Sequence, residues 1–268
     1  MTAESILANS PITVLGRFCI AMVWEMGGIA IFFFSAFLKM FSLPVNLTRI
    51  LQQIHFIGSK SLFVVALTGL FTGMVLGFQG YYTLVKVGSE TVLGLVVALS
   101  LIRELGPVLT ALMVTGRAGS SMAAEIGIMR ISEQIDALDT MDIDPVRFLV
   151  SPRLAASIVS FPLLTAVFDV VGIIGGYATG VLLLGVNSGT YISRMESGVL
   201  MEDVSGGFLK SFVFALIVST VCCYQGYVTH QRREGFGARG VSLATTTAVV
   251  MSSVLILATD YVLTSFLP

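Results

Sequence analysis

Charged residues are scarce in this sequence, which excludes an ordinary soluble domain. Asp, Glu, Lys and Arg make up 12% of the 268 residues, whereas soluble domains contain about 25%. Hydrophobic residues make up 55% of the chain, and the mean hydropathy is +0.93. This composition predicts an integral membrane protein. The net charge of −1 gives no reason to expect nucleic acid as a partner.

The groups that enzymes use for catalysis are also rare. The three cysteines lie in apolar stretches without the spacing of a metal site or a disulfide framework, so we expect free thiols at Cys19, Cys222 and Cys223. The two histidines are far apart in sequence, and no nucleophile is accompanied by a base. The phosphate-binding motif G-x-x-x-x-G-K-[ST] is absent. The sequence therefore predicts no catalytic residue, no metal site and no cofactor site.

Apolar runs long enough to cross a bilayer recur along the chain. A transmembrane helix needs roughly 20 apolar residues, and we predict spans near 58–85, 92–116, 154–185, 208–229 and 242–266. An earlier run, 12–41, is interrupted by charged residues and by Gly27-Gly28, which favours an interfacial or embedded helix, although its length also permits a sixth span. We therefore predict one all-α membrane domain over 1–268. Its N-terminal residues lack the pattern of a signal peptide, so we expect none to be removed.

The positions of Lys and Arg predict the orientation, because cytoplasmic loops collect basic residues. With five spans and the N-terminus inside, eleven basic residues fall on the inner side: Arg17, Lys39, Arg49, Lys60, Arg117, Arg130, Arg147, Arg153, Arg232, Arg233 and Arg239. Three fall on the outer side: Lys86, Arg194 and Lys210. We therefore predict that the C-terminus lies outside. A sixth span over 12–41 would transfer only Arg17 from the inner to the outer side, so the count of basic residues does not exclude that span.

Glycine recurs at every fourth position in two of the predicted spans. The first span contains Gly69, Gly73 and Gly77, and the third contains Gly172, Gly176 and Gly180. Such stripes let two helices approach closely in lipid, where packing rather than hydrophobicity drives association. The stripes indicate either packing within one chain or the seam of a homodimer.

The second span contains the sequence SLIRELGPV at 100–108, in which an arginine and a glutamate precede a proline. At mid-span, Arg103 and Glu104 each cost roughly 2.5–3.5 kcal/mol unless they are paired or hydrated. Sequence neighbours point about 100° apart on a helix, so each needs a partner of its own. Because Pro107 cannot donate to the carbonyl of Arg103, we predict a kink and a free carbonyl here. The pair indicates a functional cavity or subunit interface, or alternatively a structural ion pair with another helix.

The segment 117–153 combines an apolar pattern with many acidic residues. Ile128, Ile131, Ile135 and Leu138 recur at helical spacing. Five acidic residues lie between 133 and 144 without a basic one: Glu133, Asp136, Asp139, Asp142 and Asp144. We predict a cytoplasmic amphipathic helix that suits a basic docking partner. A solvated loop whose apolar face lies on the protein's own helices is the alternative.

Six blocks of this sequence, in order, match a known family. They are GMVLGFQG, LIRELGPV, EIGIMR, EQIDAL, DPVRFLVSPR and GVSLATTTAVV. Together they resemble the MlaE/YrbE-type permeases of ABC phospholipid transporters, over roughly residues 50–265. The resemblance implies a permease subunit that moves phospholipid between the bacterial inner membrane and periplasmic carriers, and so maintains outer-membrane lipid asymmetry.

The resemblance also implies partners and an arrangement in the membrane. The partners are a second copy of the chain, an ABC ATPase subunit that hydrolyses the ATP, a STAS-domain subunit and a periplasmic hexamer of MCE domains. The C-terminus would be periplasmic, and 12–41 would be embedded without crossing.

Site residues follow from the resemblance as well. The segment 119–140 would be a coupling helix that contacts the ATPase through Glu125, Met129, Arg130, Glu133 and Asp136. Lipid would be held between the two protomers by Leu76, Thr83, Leu84, Val87, Arg103, Glu104 and Leu105.

Two other functions fit parts of the sequence. A proton-coupled secondary transporter could use Glu104, Asp169 and Asp260 as a relay. Such carriers usually contain internal repeats, and the five spans show none. A membrane scaffold for a periplasmic assembly would leave Arg103 and Glu104 without a role.

Overall fold

The chain is almost entirely helical. The computed structural model describes residues 11–40, 47–231 and 237–266, and this part of the chain contains no strand, one short 3-10 turn at Thr229–Gln231 and eight longer helices. They are α1 (Pro11–Met40), α2 (Leu47–Val85), α3 (Glu90–Ile131), α4 (Gln134–Thr140), α5 (Val146–Leu183), α6 (Ser188–Gly198), α7 (Met201–Tyr227) and α8 (Ala238–Phe266). The prediction of an all-α membrane protein is confirmed.

Six helices of the described chain are long and apolar enough to cross a membrane, namely α1, α2, α3, α5, α7 and α8. The last five correspond to the five predicted spans, although the predicted spans 154–185 and 208–229 run two residues past the ends of α5 and α7. Length and composition also permit α1 to cross, and its embedding without crossing stays a prediction. Arg232 and Arg233, on which the predicted orientation partly depends, lie outside the described residues, as do the side chains of Arg17 and Cys19.

The segment predicted as one coupling helix is divided between two helices. α3 continues from the predicted second span to Ile131 without a break, and α4 begins only at Gln134. Between them Glu133 adopts the left-handed conformation, with φ of 58°. The apolar residues over 128–138 keep a helical spacing across the two-residue turn, so the sequence pattern concealed it. In the structure the residues of this pattern do not share one face: Ile135 is fully buried, whereas Ile128 is exposed. The prediction of a single helix over 119–140 was therefore wrong.

The two glycine stripes pack against each other within one chain. A Cβ atom at Gly73 would overlap the carbonyl oxygen of Gly172, and one at Gly77 would lie 3.0 Å from the carbonyl oxygen of Gly176. α2 and α5 therefore meet backbone to backbone, which only the smallest residue allows. This contact confirms the interpretation of the stripes as packing within one chain.

α7 is the central helix of the bundle. In the most apolar 18-residue stretch of this helix, 61% of the residues are buried, a larger share than in any other spanning helix of the described chain. Phe214, Val218 and Cys222 on this helix belong to the main hydrophobic core. Cys222 and Cys223 are buried free thiols, as predicted. Two charged residues of α7, Asp203 and Lys210, therefore lie inside the protein.

α1 is attached to this bundle by polar contacts. Gln225 of α7 donates a hydrogen bond to the Glu25 carboxylate at 2.8 Å. The hydroxyl of Ser151 donates to the carbonyl of Ala36 at 3.1 Å. Near the end of α1, Lys39 forms an ion pair with Asp144 in the turn before α5.

The ion pair of Asp144 makes one part of the stability depend on pH. Burial by itself raises the pKa of this carboxyl, but hydrogen bonds from Lys39 and from the backbone N–H groups of Arg147 and Val146 hold it below its ordinary value of 3.8. A carboxyl with a lower pKa in the folded state stabilises the fold above its unfolded pKa, and this contribution is lost as the pH falls.

We therefore expect Asp144→Asn to reduce stability at neutral pH, by less than about 1 kcal/mol because both partners are partly exposed. The difference from the wild type should narrow below about pH 4. Thermal melting of the purified protein in detergent measures both effects. Asp142→Asn is the matched control, because Asp142 has a left-handed backbone that asparagine also adopts. A difference that persists at about pH 3 would contradict this account.

Candidate functional site

A cavity of about 630 Å³ lies between α3, α7 and α8. Its size is within the range of small-molecule binding pockets. Charged and small residues line it: Arg103 and Glu104 from α3, Glu202, Asp203, Ser205, Gly206, Gly207, Leu209 and Lys210 from α7, and Thr264 from α8. The intramembrane pair singled out in the sequence therefore lies in a cavity.

Lys210 is the centre of the charged cluster at this cavity. Its Nζ donates hydrogen bonds to Glu104 Oε2 at 2.7 Å, to the hydroxyl of Thr264 at 2.7 Å and to the backbone carbonyl of Arg103 at 3.0 Å. An oxygen of Asp260 lies 3.2 Å from the same nitrogen. The side chain of Lys210 is only 3% exposed. A buried ammonium group is tolerated here because its three N–H groups all have acceptors.

Arg103 of α3 pairs with another residue of α7, Asp203. Its Nε and Nη2 atoms both lie 2.5 Å from Oδ1 of Asp203. The other oxygen of Asp203 accepts a hydrogen bond from the backbone N–H of Leu200 at 2.8 Å, so this buried carboxylate also caps the first turn of α7. The prediction that Arg103 and Glu104 need separate partners is confirmed, and α7 supplies both.

Pro107 accounts for the free carbonyl in the cluster. The residues before it, Leu101–Leu105, form a π-helical turn. Since proline has no N–H group, the carbonyl of Arg103 lacks its usual helical donor, and Lys210 takes that place. Gly207 lets α7 come this close, because a Cβ atom there would overlap the carbonyl oxygen of Ile102. The predicted free carbonyl beside the charges is confirmed.

A second group of predicted site residues lies around the turn between α3 and α4. Glu125 forms an ion pair with Arg153 of α5 at 2.9 Å. Arg130 donates to Asp136 at 2.7 Å and to His230 at 2.9 Å. These contacts stay within the chain, so the residues that make them contribute to the fold itself.

The remaining residues of this group differ in exposure. Met129 packs against a small core cluster that includes Ile126 and Ile135. Glu133, at the left-handed turn, is exposed. The apolar face of this segment thus lies partly on the protein's own helices, while its acidic face is presented to a partner or to solvent.

Comparison with known proteins identifies the family. The family model described as Permease MlaE matches residues 50–266. The chain belongs to the MlaE permease family. A probable ABC transporter permease of Rickettsia typhi is 42% identical, over 95% of this chain and 96% of the relative. The intermembrane phospholipid transport system permease protein MlaE of Haemophilus influenzae is 40% identical, over 96% and 97%.

A chloroplast protein is also related to this MlaE-family chain. The protein TRIGALACTOSYLDIACYLGLYCEROL 1 of Arabidopsis thaliana is 34% identical, over 91% of this chain and 68% of the relative.

In this MlaE-family chain, five of the seven residues predicted to bind lipid do not line the charged cavity. Three leucines are partly buried against the protein's own core: Leu76, Leu84 and Leu105. Thr83 is exposed and donates a hydrogen bond to the carbonyl of Gln79, and Val87 is also exposed. The structure therefore brings together only Arg103 and Glu104, and the lipid-binding role of all seven stays a prediction.

Sequence reasoning missed two residues of the cluster, Asp203 and Lys210. It counted Lys210 as one of the basic residues of the outer segments, although this lysine lies within the predicted span 208–229. The signal was available, because an arginine and a glutamate within one span require opposite charges within another. Asp203 carries a weaker signal, since an acidic residue at the start of a helix usually serves as a cap.

Proposed function

We propose that this chain is the transmembrane permease subunit of an ATP-driven phospholipid transporter. It moves lipid between the bacterial inner membrane and periplasmic carriers and thereby maintains outer-membrane lipid asymmetry. The function named for the Haemophilus relative supports this proposal. The observation that carries it is the cavity between three membrane-spanning helices, with an exposed arginine and a fully paired lysine. A lipid phosphate can bind such an arginine while the acyl chains remain in an apolar medium.

ATP hydrolysis takes place on a separate ABC ATPase subunit, since the phosphate-binding motif is absent from this sequence. The permease itself is therefore not an enzyme. It acts as a homodimer, with the N-terminus in the cytoplasm and the C-terminus in the periplasm. A STAS-domain subunit on the ATPase and a periplasmic hexamer of MCE domains complete the assembly. Eleven inner against two outer basic residues, Lys86 and Arg194, support this orientation, since Lys210 lies within a span.

The lipid lies between the two protomers, against the charged cavity of each. Arg103 and Glu104 face the head group, and the predicted apolar residues Leu76, Leu84, Val87 and Leu105, with Thr83, contact the rest of the lipid. The exposure of Val87 and Thr83 supports this arrangement, because a surface that meets lipid or a second protomer is open in one isolated chain.

α3 connects the ATPase contact to the lipid site. It is one helix from Glu90 to Ile131, so the 28 residue-to-residue steps from Arg103 to Ile131 span about 42 Å at 1.5 Å per step. Movement of the turn at Glu133, driven by ATP in the partner, is carried along this helix to the charged cavity. There it alters the space available to the lipid.

Both rival functions lose support from the charged cluster. A proton relay through Glu104 and Asp260 would require both carboxyls to exchange protons, yet both contact the buried ammonium of Lys210. The third relay residue, Asp169, lies against Gly106 of α3. A scaffold would have no use for a charged cavity between spanning helices.

Purification tests the proposal directly. The protein extracted in mild detergent should bring an ATPase with it, and ATP hydrolysis in membranes should depend on its presence. If no ATPase accompanies it and hydrolysis is the same without it, the proposed function is wrong.

Within this complex, Glu133→Lys should weaken ATPase binding about tenfold while bound lipid stays in place, because a reversed charge opposes a basic docking partner. Co-purification of the two subunits and extraction of bound lipid measure these effects. Glu196→Lys on α6 is the control, since this exposed acidic residue lies on the predicted outer side. Undiminished ATPase binding by the Glu133 variant would remove this residue from the interface.

A further inference from the structure

The two cations of the charged cavity differ in what they can offer a ligand. Lys210 is buried, and each of its three N–H groups has an acceptor in Glu104, Thr264 or the backbone of Arg103. Arg103 is nearly half exposed and uses only Nε and Nη2 on Asp203. Its Nη1 group makes no hydrogen bond or ion pair with the described residues. Arg103 is therefore the cation that can donate hydrogen bonds to a phosphate.

The acidic residues of the cavity offer more acceptors than the protein itself uses. Glu202, in the first turn of α7, is exposed, and its carboxylate has no partner in the part of the chain that the structure describes. Glu104 is also partly exposed, and its Oε1 accepts a hydrogen bond from Thr264 at 3.2 Å. Both carboxylates therefore have oxygen atoms free for a donor.

Carboxyl groups outnumber cations at this cavity. The cavity lining together with Asp260 contains four carboxyl groups: Glu104, Glu202, Asp203 and Asp260. It contains two cations, Arg103 and Lys210. A ligand that carries only negative charge would pair with Arg103 but leave the carboxylates unmatched and repelling it. A ligand with both a phosphate and a primary ammonium group would satisfy both sides.

We propose that this cavity selects phospholipids with an ethanolamine head group over anionic phospholipids with the same acyl chains. The phosphate accepts hydrogen bonds from Arg103, and the ammonium group donates to Glu202 and Glu104. A choline head group has no N–H to donate, so it is bound less well. The inference rests on the proposed function and names the lipid class that the same site takes.

The complete permease–ATPase complex in nanodiscs tests this selectivity. The discs contain equal amounts of dioleoyl phosphatidylethanolamine and dioleoyl phosphatidylglycerol. Leu209 lines the cavity, and a photoreactive benzophenone side chain introduced at this position captures the bound lipid. Mass spectrometry of the adducts should show an excess of the ethanolamine lipid of about fivefold. Glu202→Gln should reduce this excess, and Glu202→Lys should reverse it. Glu196→Gln, an acidic residue on α6 outside the cavity, should leave it unchanged.

The outcomes separate this inference from the proposed function. Equal capture of the two lipids by the wild type, or an excess that Glu202→Gln leaves intact, would overturn the selectivity while lipid binding stands. Capture of neither lipid would contradict both. Excess soluble glycerophosphoethanolamine should leave the adducts unchanged, and their loss would assign the cavity to a free phosphoester instead of a lipid.

Discussion

Lys210→Met is expected to lower the free energy of unfolding by about 3 kcal/mol and to abolish lipid transport. The substitution removes the buried ammonium group that contacts Glu104, Asp260 and the backbone carbonyl of Arg103. Removing one partner of a buried ion pair costs about 3–5 kcal/mol, because the remaining charge is left without compensation. The lower end of this energy range applies to Lys210, since its partner Glu104 is partly exposed and keeps some hydration.

Thermal melting in detergent and lipid transfer between proteoliposomes measure the two effects. Lys86→Met is the matched control, because this lysine at the end of α2 is exposed. Adding Glu104→Gln and Asp260→Asn to the Lys210 variant should restore most of the stability, since neutral amides need no cation. Transport should stay low in the triple variant, because the charged cavity is lost. A Lys210 variant as stable as the Lys86 variant would show that the cluster is not buried.

Gly73→Ala is expected to destabilise the protein by about 3 kcal/mol or more, through steric overlap at the α2–α5 contact. The added methyl group would overlap the carbonyl oxygen of Gly172, which is backbone of a packed helix and cannot rotate away. The two helices would have to separate along the whole stripe, including the contact of Gly77 with Gly176.

The same substitution elsewhere supplies the control. A methyl group added at Gly27 of α1 would meet no other atom within 4 Å, and alanine is favoured over glycine in a helix by about 1 kcal/mol. Gly27→Ala should therefore leave the melting temperature unchanged or raise it slightly. Equal melting of the Gly73 and Gly27 variants would contradict the packing of the two stripes within one chain.

The ion pairs also change what the intramembrane charges mean for stability. From the sequence alone, Arg103 and Glu104 are a cost, and their replacement by leucine would relieve it. The structure shows that Asp203 and Lys210 depend on them. Removing the pair would take away the ion-pair partner of Asp203 and the nearest one of Lys210, so a gain in stability no longer follows.

The sequence by itself determined that this protein is helical and membrane-embedded, where its main spans lie and which family it belongs to. Hydrophobicity and helical period are properties of neighbouring residues, and the family blocks are matched directly from the chain. The free carbonyl before Pro107 was predictable for the same reason, since it follows from local backbone chemistry.

Only the tertiary structure decided which charges pair and which surfaces meet. Arg103 and Asp203 are 100 residues apart, and Glu104 and Lys210 are 106 apart. The contact of the two glycine stripes likewise depends on α2 and α5 becoming neighbours. The break at Glu133 was concealed because the apolar spacing continues across the turn, although Ile128 before it is exposed and Ile135 after it is buried. Long-range partners are chosen by how the helices pack, and no local pattern in the chain records that choice.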